Sequence, residues 1–480
     1  MLETMGISIG KFLSFVPSFH VKISHLLQIT TLLQLLCTIL VTWKLQLLFY
    51  SENQHLPSLN EVERYGYFGF YLLFGIKLTP CLSIPFACMN IIALTFTNLW
   101  PDMPKLEVHK SDIPYICFRV VTRGLYKNLV INSLERNIET SLRTGLEKFK
   151  FEVVTDIPLG LRTSMFIQEI VVPKTYATKN NSLFKARALH YCLEDGISNL
   201  SDDDWIVHMD EETILTEGSV IGLAKFAAGS MGDIGQGVIT YANTEIINWY
   251  TTLADSVRVA IDMGLMKFCF QKLHRPVYGL KGSYIIIKCA VEKKIGFDYG
   301  PKGSIAEDLY FSLEAWKKGY QFNFVEGEMW EKSPFTIIDY IRQRKRWFVG
   351  RMFTILCRNI PFKYKLLLIP SDLSWLFLAF NLFSILLPIE TPKVLILVNS
   401  LIGGLIVFLF LFGSIQSFSL KRFGLCRKIL ICACTVMIVP FVACLDGIAS
   451  LYGLFCNINE GFYIVQKEHN QYENDVQEEV

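Results

Sequence analysis

The chain has 480 residues, of which 51% are hydrophobic and only 19% are charged. A composition this apolar excludes an ordinary soluble globular protein and calls for membrane-embedded segments. The formal net charge of +2 leaves no basic footprint, which argues against nucleic acid as a partner.

Apolar residues concentrate at the two ends. Leu26 to Trp43 carries no charge over 18 residues, close to the length of a bilayer span. No small-residue cleavage site follows it, so it reads as an uncleaved anchor. Phe68 to Leu99 is a second apolar zone, interrupted by Lys77, Pro80 and Pro85. Three further runs, about 366–389, 394–415 and 429–456, bring the expected spans to five. The loop Ser51–Gly66 carries Glu52, Glu61 and Glu63 against Arg64, whereas Lys421, Arg422, Arg427 and Lys428 lie between the last two runs. The positive-inside rule then puts the N-terminus, the central region and the 416–428 loop in the cytosol. Five spans leave the acidic tail on the far side, unless the fifth run, which holds Asp446, is a re-entrant hairpin. The expected organisation is a membrane region at 1–104, a soluble domain at 105–333, an interfacial amphipathic segment at 334–365, a second membrane region at 366–460 and a tail at 461–480. Thirteen cysteines form no CxxC pair and read as reduced thiols rather than disulfides or a zinc site.

The central domain alternates strand and helix signals. Tyr115–Val121 is β-rich and runs into Thr122; a helical pattern follows over about 129–148; Phe151–Thr155 is stopped by Asp156. A helix over about 184–198 precedes Trp205–Met209, stopped by Asp210. This order predicts a mostly parallel, wound α/β sheet. Ligands of such sheets bind beyond the carboxyl ends of the strands, and Thr122, Asp156 and Asp210 all fall there. Arg119 and Arg123 crowd the first strand end, either as phosphate contacts or as solvated charges.

Asp210-Glu211-Glu212 places two carboxylates at i and i+2 after a strand. Such oxygens suit Mg²⁺ or Mn²⁺, ions commonly shared with substrate phosphates; a solvated acidic loop would give the same triplet. Asp308 opens a helix carrying Leu309, Leu313 and Trp316. It is either an N-terminal helix charge or a general base, and the helix dipole is expected to lower its pKa. Gln343-Arg344-Lys345-Arg346-Trp347 offers guanidinium forks for phosphate and an indole face for stacking. A basic, membrane-proximal amphipathic helix drawn to anionic lipid is the alternative.

The order Asp156, Asp210-Glu211-Glu212, Glu307-Asp308, Gln343-Arg344-Lys345-Arg346-Trp347 resembles the D, DxD, D, QxxRW series of family-2 inverting glycosyltransferases with the GT-A fold. Lys185-Ala186-Arg187-Ala188-Leu189-His190 resembles the family's KAGALN stretch, with His190 in place of the amide. Gly282 to Asp298 resembles its G-x-x-x-x-x-R…GGFD stretch. The resemblance covers about 114–350. Within the family, His208–Thr213 and Ser304–Phe311 look like the Egghead-type β-1,4-mannosyltransferases, which transfer mannose from GDP-mannose to glucosylceramide.

The resemblance implies a Rossmann-like GT-A domain flanked by transmembrane helices, in the Golgi or endoplasmic reticulum, with the catalytic domain facing the cytosol. It implies that Thr122, Asp156, Lys185, Asp210, Gln343 and Arg346 bind the donor and that Asp210 and Glu212 hold Mn²⁺ or Mg²⁺. Asp308 would be the base, and Glu307 and Trp347 would meet the acceptor. A processive polysaccharide synthase shares the motif order, and Asp372 and Asp446 could line its polar path. Another lipid-directed hexosyltransferase using UDP-glucose, or a catalytically idle membrane scaffold, completes the set of alternatives.

Overall fold

A computed structural model describes residues 9–53, 61–106, 108–229, 231–455 and 467. Seven strands form one sheet: β1 (Ile116–Thr122), β2 (Phe149–Thr155), β3 (Ile167–Val171), β4 (Trp205–Asp210), β5 (Ile234–Thr240), β6 (Ile285–Lys288) and β7 (Phe322–Trp330). Their spatial order is β3-β2-β1-β4-β6-β5-β7. All neighbours run parallel except β6, which is antiparallel to both β4 and β5. Strands buried on both faces need unbroken apolar runs, and Phe118, Phe151, Val153, Val207 and Ile286 are among the fully buried residues. Phe118 stacks on Phe151 with centroids 4.8 Å apart; burying each such ring stabilises the fold by roughly 1.5–3 kcal/mol.

The helix Lys127–Arg143 buries Val130 and Leu134 on one face, as its 3.6-residue period requires. It stops five residues short of the expected end, because Gly145 takes φ +79° and closes the last turn in the left-handed region. Three strands carry weaker sequence signals. In β5, Gly235 and Gly237 break the apolar run, yet a Cβ there would lie 2.7 Å from Phe226 and 2.1 Å from Tyr284. Glycine is needed where neighbouring rings press onto the strand.

Arg119 is neither a phosphate contact nor solvated. It lies mid-strand in β1, fully buried, between Glu152 (2.8 Å) and Glu292 (2.6 Å). His208 joins the same network through Glu292 at 2.7 Å. A buried guanidinium must be paired, and here its partners tie β1, β2, β4 and the helix Cys289–Ile295 together.

Among the described residues, four helices are long and apolar enough to cross a membrane: Ser24–Leu48, Glu61–Phe96, Lys393–Ser417 and Leu420–Phe455. The run 366–389, expected as a span, is instead broken into Leu368–Leu376, Leu378–Phe383 and the short turn Ser384–Leu386. The run 429–456 lies within the long helix Leu420–Phe455 up to its last described residue and does not fold back as a hairpin, although Pro440 sits inside it. Lys467 returns to the catalytic domain, where it pairs with Glu211 and Glu212. At this residue the tail lies against the domain, which the expected far-side placement does not accommodate. The rest of the acidic tail and part of the loop 51–66 lie outside the described residues.

Membrane helices and domain share close contacts. In Lys393–Ser417, a Cβ on Gly404 would lie 2.6 Å from Ile39, and one on Gly413 1.8 Å from the Ser256 carbonyl. Small residues thus let one helix touch both the first membrane helix and the domain, as in membrane packing generally. The helix Ile337–Leu356, capped by Thr336, buries Tyr340, Arg344 and Phe348 at four-residue intervals. Tyr340 donates to Asp446 at 2.8 Å, and Arg344 pairs with Asp255 at 2.6 Å, bolting this helix between domain and membrane.

Candidate active site

Every site residue expected from sequence lines one cavity of about 1190 Å³: Thr122, Asp156, Lys185, Asp210, Glu212, Glu307, Asp308, Gln343, Arg346 and Trp347. The parallel strands β1, β2 and β4 place Thr122, Asp156 and Asp210 at or just past their carboxyl ends. Gly124, at φ +83°, brings the loop after β1 against the loop after β2, and a Cβ there would lie 2.4 Å from the Ile157 carbonyl. Thr122 donates to Glu211 through a short hydrogen bond and accepts from the Gly124 N–H at 2.9 Å. Asp156 is paired with Arg187 at 2.5 Å.

Lys185 stands at the centre of the carboxylates. It donates to Asp210 and to the Gly282 carbonyl, each at 2.6 Å, and lies 4.0 Å from Glu307. Phe184 before it has φ +53°, a conformation that costs a bulky residue about 1–2 kcal/mol. Strain of this kind persists where surrounding structure fixes a functional side chain. Burial pushes the Asp210 carboxyl up, but Lys185 and then Lys467 outweigh it and hold it below the ordinary range. Glu212 has less compensation: burial lifts it to about 7 despite Lys467.

Glu307 and Asp308 open the helix Glu307–Lys317. Burial, with the Asp308 charge beside it, lifts Glu307 to about 7. Asp308 is also raised, by burial, although it accepts the Leu309 N–H at 2.7 Å. The expected lowering by the helix terminus does not hold. The hydrogen bond acts in that direction, but desolvation of the charged form is larger.

Arg346 feels Glu307, Asp210, Asp308 and Glu212 together. The ring of Trp347 is held by the guanidinium groups of Arg344 and Arg258, 4.2 and 4.7 Å from its centroid, a geometry that favours a fixed ring. Gly350 lets this helix press against the segment leading into Glu307: its Cβ would lie 2.8 Å from that of Ala306. Among the described residues no group of three or more His, Cys, Asp and Glu forms a ready-made metal cage.

Sequence reasoning missed Arg187, Arg258, Arg351 and Lys467, which also line the cavity. Arg187 sits two residues from Lys185 and could have been read from its stretch. Lys467 carries no local signal at all.

Acidic groups beyond parallel strand ends, a carboxylate pair facing them and a docked QxxRW helix define a glycosyltransferase with a GT-A-type catalytic domain, flanked by helices long and apolar enough to cross a membrane. Residues 205–445 match the family model described as glycosyl transferase family group 2. The chain is 41% identical over 441 residues to the beta-1,4-mannosyltransferase egh of Drosophila melanogaster, covering 90% of this chain and 96% of that protein. It is 39% identical over 442 residues to the beta-1,4-mannosyltransferase bre-3 of Caenorhabditis elegans, covering 90% and 97%. Among solved structures, the mannosyltransferase PcManGT from Pyrobaculum calidifontis, in complex with GDP-Man and Mn2+, aligns with 80% of this chain and 99% of its own, at 12% identity and TM-score 0.44. The chain belongs to glycosyl transferase family group 2. It is an enzyme of the glycosyltransferase class, and its curated relatives support mannosyl transfer.

Proposed function

We propose that the protein transfers mannose from GDP-mannose to glucosylceramide in β-1,4 linkage, with inversion at the anomeric carbon. The observation that carries this reading is that one continuous cavity joins domain and apolar helices. Its lining runs from Asp156, Asp210 and Asp308 in the domain to Leu405 and Val442 on membrane helices. A lipid-borne acceptor can therefore meet a soluble donor without leaving the bilayer. The relatives named above, beta-1,4-mannosyltransferases, support the sugar and linkage. The setting is an internal membrane, Golgi or endoplasmic reticulum, with the domain facing the cytosol.

Thr122 and Asp156 border the nucleotide. Lys185, Gln343 and Arg346 face the diphosphate. Asp210 and Glu212 fit a divalent cation, Mn²⁺ or Mg²⁺: their oxygens are hard ligands, and Glu212 still carries uncompensated desolvation. Two protein carboxylates leave positions for donor oxygens and water. When bound, the cation supplies neutralisation of charge on the departing diphosphate. The acceptor oxygen attacks the anomeric carbon, the bond to the diphosphate oxygen breaks, and Asp308 takes the acceptor's proton. Its raised pKa makes it a better base than a solvated aspartate. Glu307 and Trp347 bound the acceptor side.

The test is a transfer assay on detergent-purified, full-length protein with Mn²⁺ and glucosylceramide, offering GDP-mannose and UDP-glucose separately. Metal-dependent mannose transfer is expected. Glucose transfer would keep the mechanism and discard the donor. Folded protein that binds neither donor would leave a membrane scaffold as the reading.

A further inference from the structure

Asp372 and Asp446 are acidic residues that the donor chemistry does not use. Asp446 is satisfied by Tyr340 and Arg344 and serves to dock the helix Ile337–Leu356. Asp372 is different. It sits on Leu368–Leu376, the short helix between domain and membrane, and is 2% exposed. Its carboxylate takes both arms of Arg351, at 2.5 Å from Nε and 3.1 Å from Nη2. Both residues line the cavity.

The placement of Arg351 is not accidental. Gln343, Trp347 and Arg351 recur at i, i+4 and i+8, so they form one stripe of one helix, and all three line the cavity. Gly350 presses that helix onto Ala306, immediately before Glu307 and Asp308. Arg351 is accordingly close enough to bias the Asp308 carboxyl electrostatically. Trp375, three residues after Asp372 and on the same face, also lines the cavity. Its ring is braced edge-on by Phe348, with centroids 6.1 Å apart.

A bidentate carboxylate–guanidinium pair beside a fixed indole is the equipment that recognises a pyranose: charged groups for vicinal hydroxyls, a flat apolar face for ring C–H groups. On the membrane side, the cavity continues past Phe86, Leu405 and Val442, an apolar lining suited to hydrocarbon. We infer that Arg351, Asp372 and Trp375 form the acceptor-sugar site, gripping the head-group hexose of a membrane glycolipid so that its hydroxyl meets Asp308. This rests on the lipid-acceptor reading above and names the residues that would select the acceptor.

The test uses full-length protein in lipid nanodiscs, measuring transfer as a function of acceptor and of donor separately. Losing one charge-assisted hydrogen bond to the acceptor should weaken its binding about tenfold or more. Asp372→Asn and Trp375→Ala are each expected to raise the acceptor KM by that factor while the donor KM moves less than twofold. The double exchange Arg351→Asp with Asp372→Arg restores the ion pair with reversed polarity. It should not restore the acceptor KM. Recovery by the exchange would show that the pair only joins two helices and would overturn the inference. So would equal rises in donor and acceptor KM, loss of donor binding by Asp372→Asn, or an unchanged acceptor KM. If the wild-type protein ignores glucosylceramide but glycosylates another membrane glycoside, the proposed acceptor falls. The inference then stands or falls on the same KM split with that acceptor.

Discussion

Replacing Asp308 by Asn tests the chemistry most directly. Among the described residues, the one hydrogen bond its carboxylate makes to the backbone is to the Leu309 N–H, at 2.7 Å. The Asn side-chain oxygen can accept the same bond, so the helix start keeps that contact. Burial raises the Asp308 pKa, which means that the ionised form is disfavoured in the folded state. Removing that charge should leave stability unchanged or slightly higher. Glu307, held near pH 7 by burial and by the Asp308 charge, should relax downward. What disappears is the proposed proton acceptor, and general-base catalysis is worth about 10²–10⁴ in rate. That corresponds to roughly 2.7–5.4 kcal/mol of barrier, at about 1.4 kcal/mol per factor of ten. Initial rates of mannosyl transfer at saturating donor and acceptor measure the loss. Donor binding and a melting curve on the same sample establish that the site is intact. A variant that turns over within tenfold of wild type would remove Asp308 from the mechanism.

Other consequences follow from the same contacts. Arg119→Met should cost about 3–5 kcal/mol, because Glu152 and Glu292 would lose the buried guanidinium they share and keep only Lys150 and His208 respectively; a melting temperature within a degree or two of wild type would contradict the role given to this network. Lys467→Met should lower the melting temperature of metal-free protein, since Glu211 and Glu212 lose their counter-charge, and added Mn²⁺ should narrow the gap. Glu307, raised from 4.5 to about 7, holds its proton in the fold over a range where the unfolded chain has released it. Its contribution to stability is therefore complete below pH 4.5 and is lost as pH rises through about 7, at up to about 1.4 kcal/mol per unit. Thermal melts at pH 5 and pH 8 should show a smaller difference in Glu307→Gln than in wild type. Gly350→Val would drive a side chain into Ala306, costing roughly 1–3 kcal/mol and displacing Gln343, Arg346 and Trp347; transfer should fall at least as far as stability does, by rate assay.

Much of the site was legible in the chain because its parts are local. A strand that ends in an acid, an acid-x-acid turn and a carboxylate at a helix start each occupy a few consecutive residues, and parallel α/β topology sends strand ends to one edge. That is why Thr122, Asp156, Asp210 and Asp308, spread over 187 positions of sequence, could be grouped before any coordinates. Length and hydropathy likewise marked four of the membrane helices, since crossing hydrocarbon demands a long uncharged run. Hydropathy misread 366–389, because an apolar segment packed against other helices looks the same as one that crosses lipid.

Other features required the fold. Arg119 reads as a surface charge until Glu152 and Glu292 arrive from 33 and 173 residues away. Asp308 reads as a helix-terminal acid with a lowered pKa until its burial is known. Lys467 has no motif, and only the path of the last helix brings it to Glu211 and Glu212, 256 and 255 residues earlier. The sequence by itself determined which groups are available to the chemistry, because charge, hydrogen-bonding capacity and strand or helix period belong to the residues themselves. The tertiary structure alone decided which charges are neutralised, which are desolvated and where the membrane meets the site, because those depend on distances between segments that are remote in the chain.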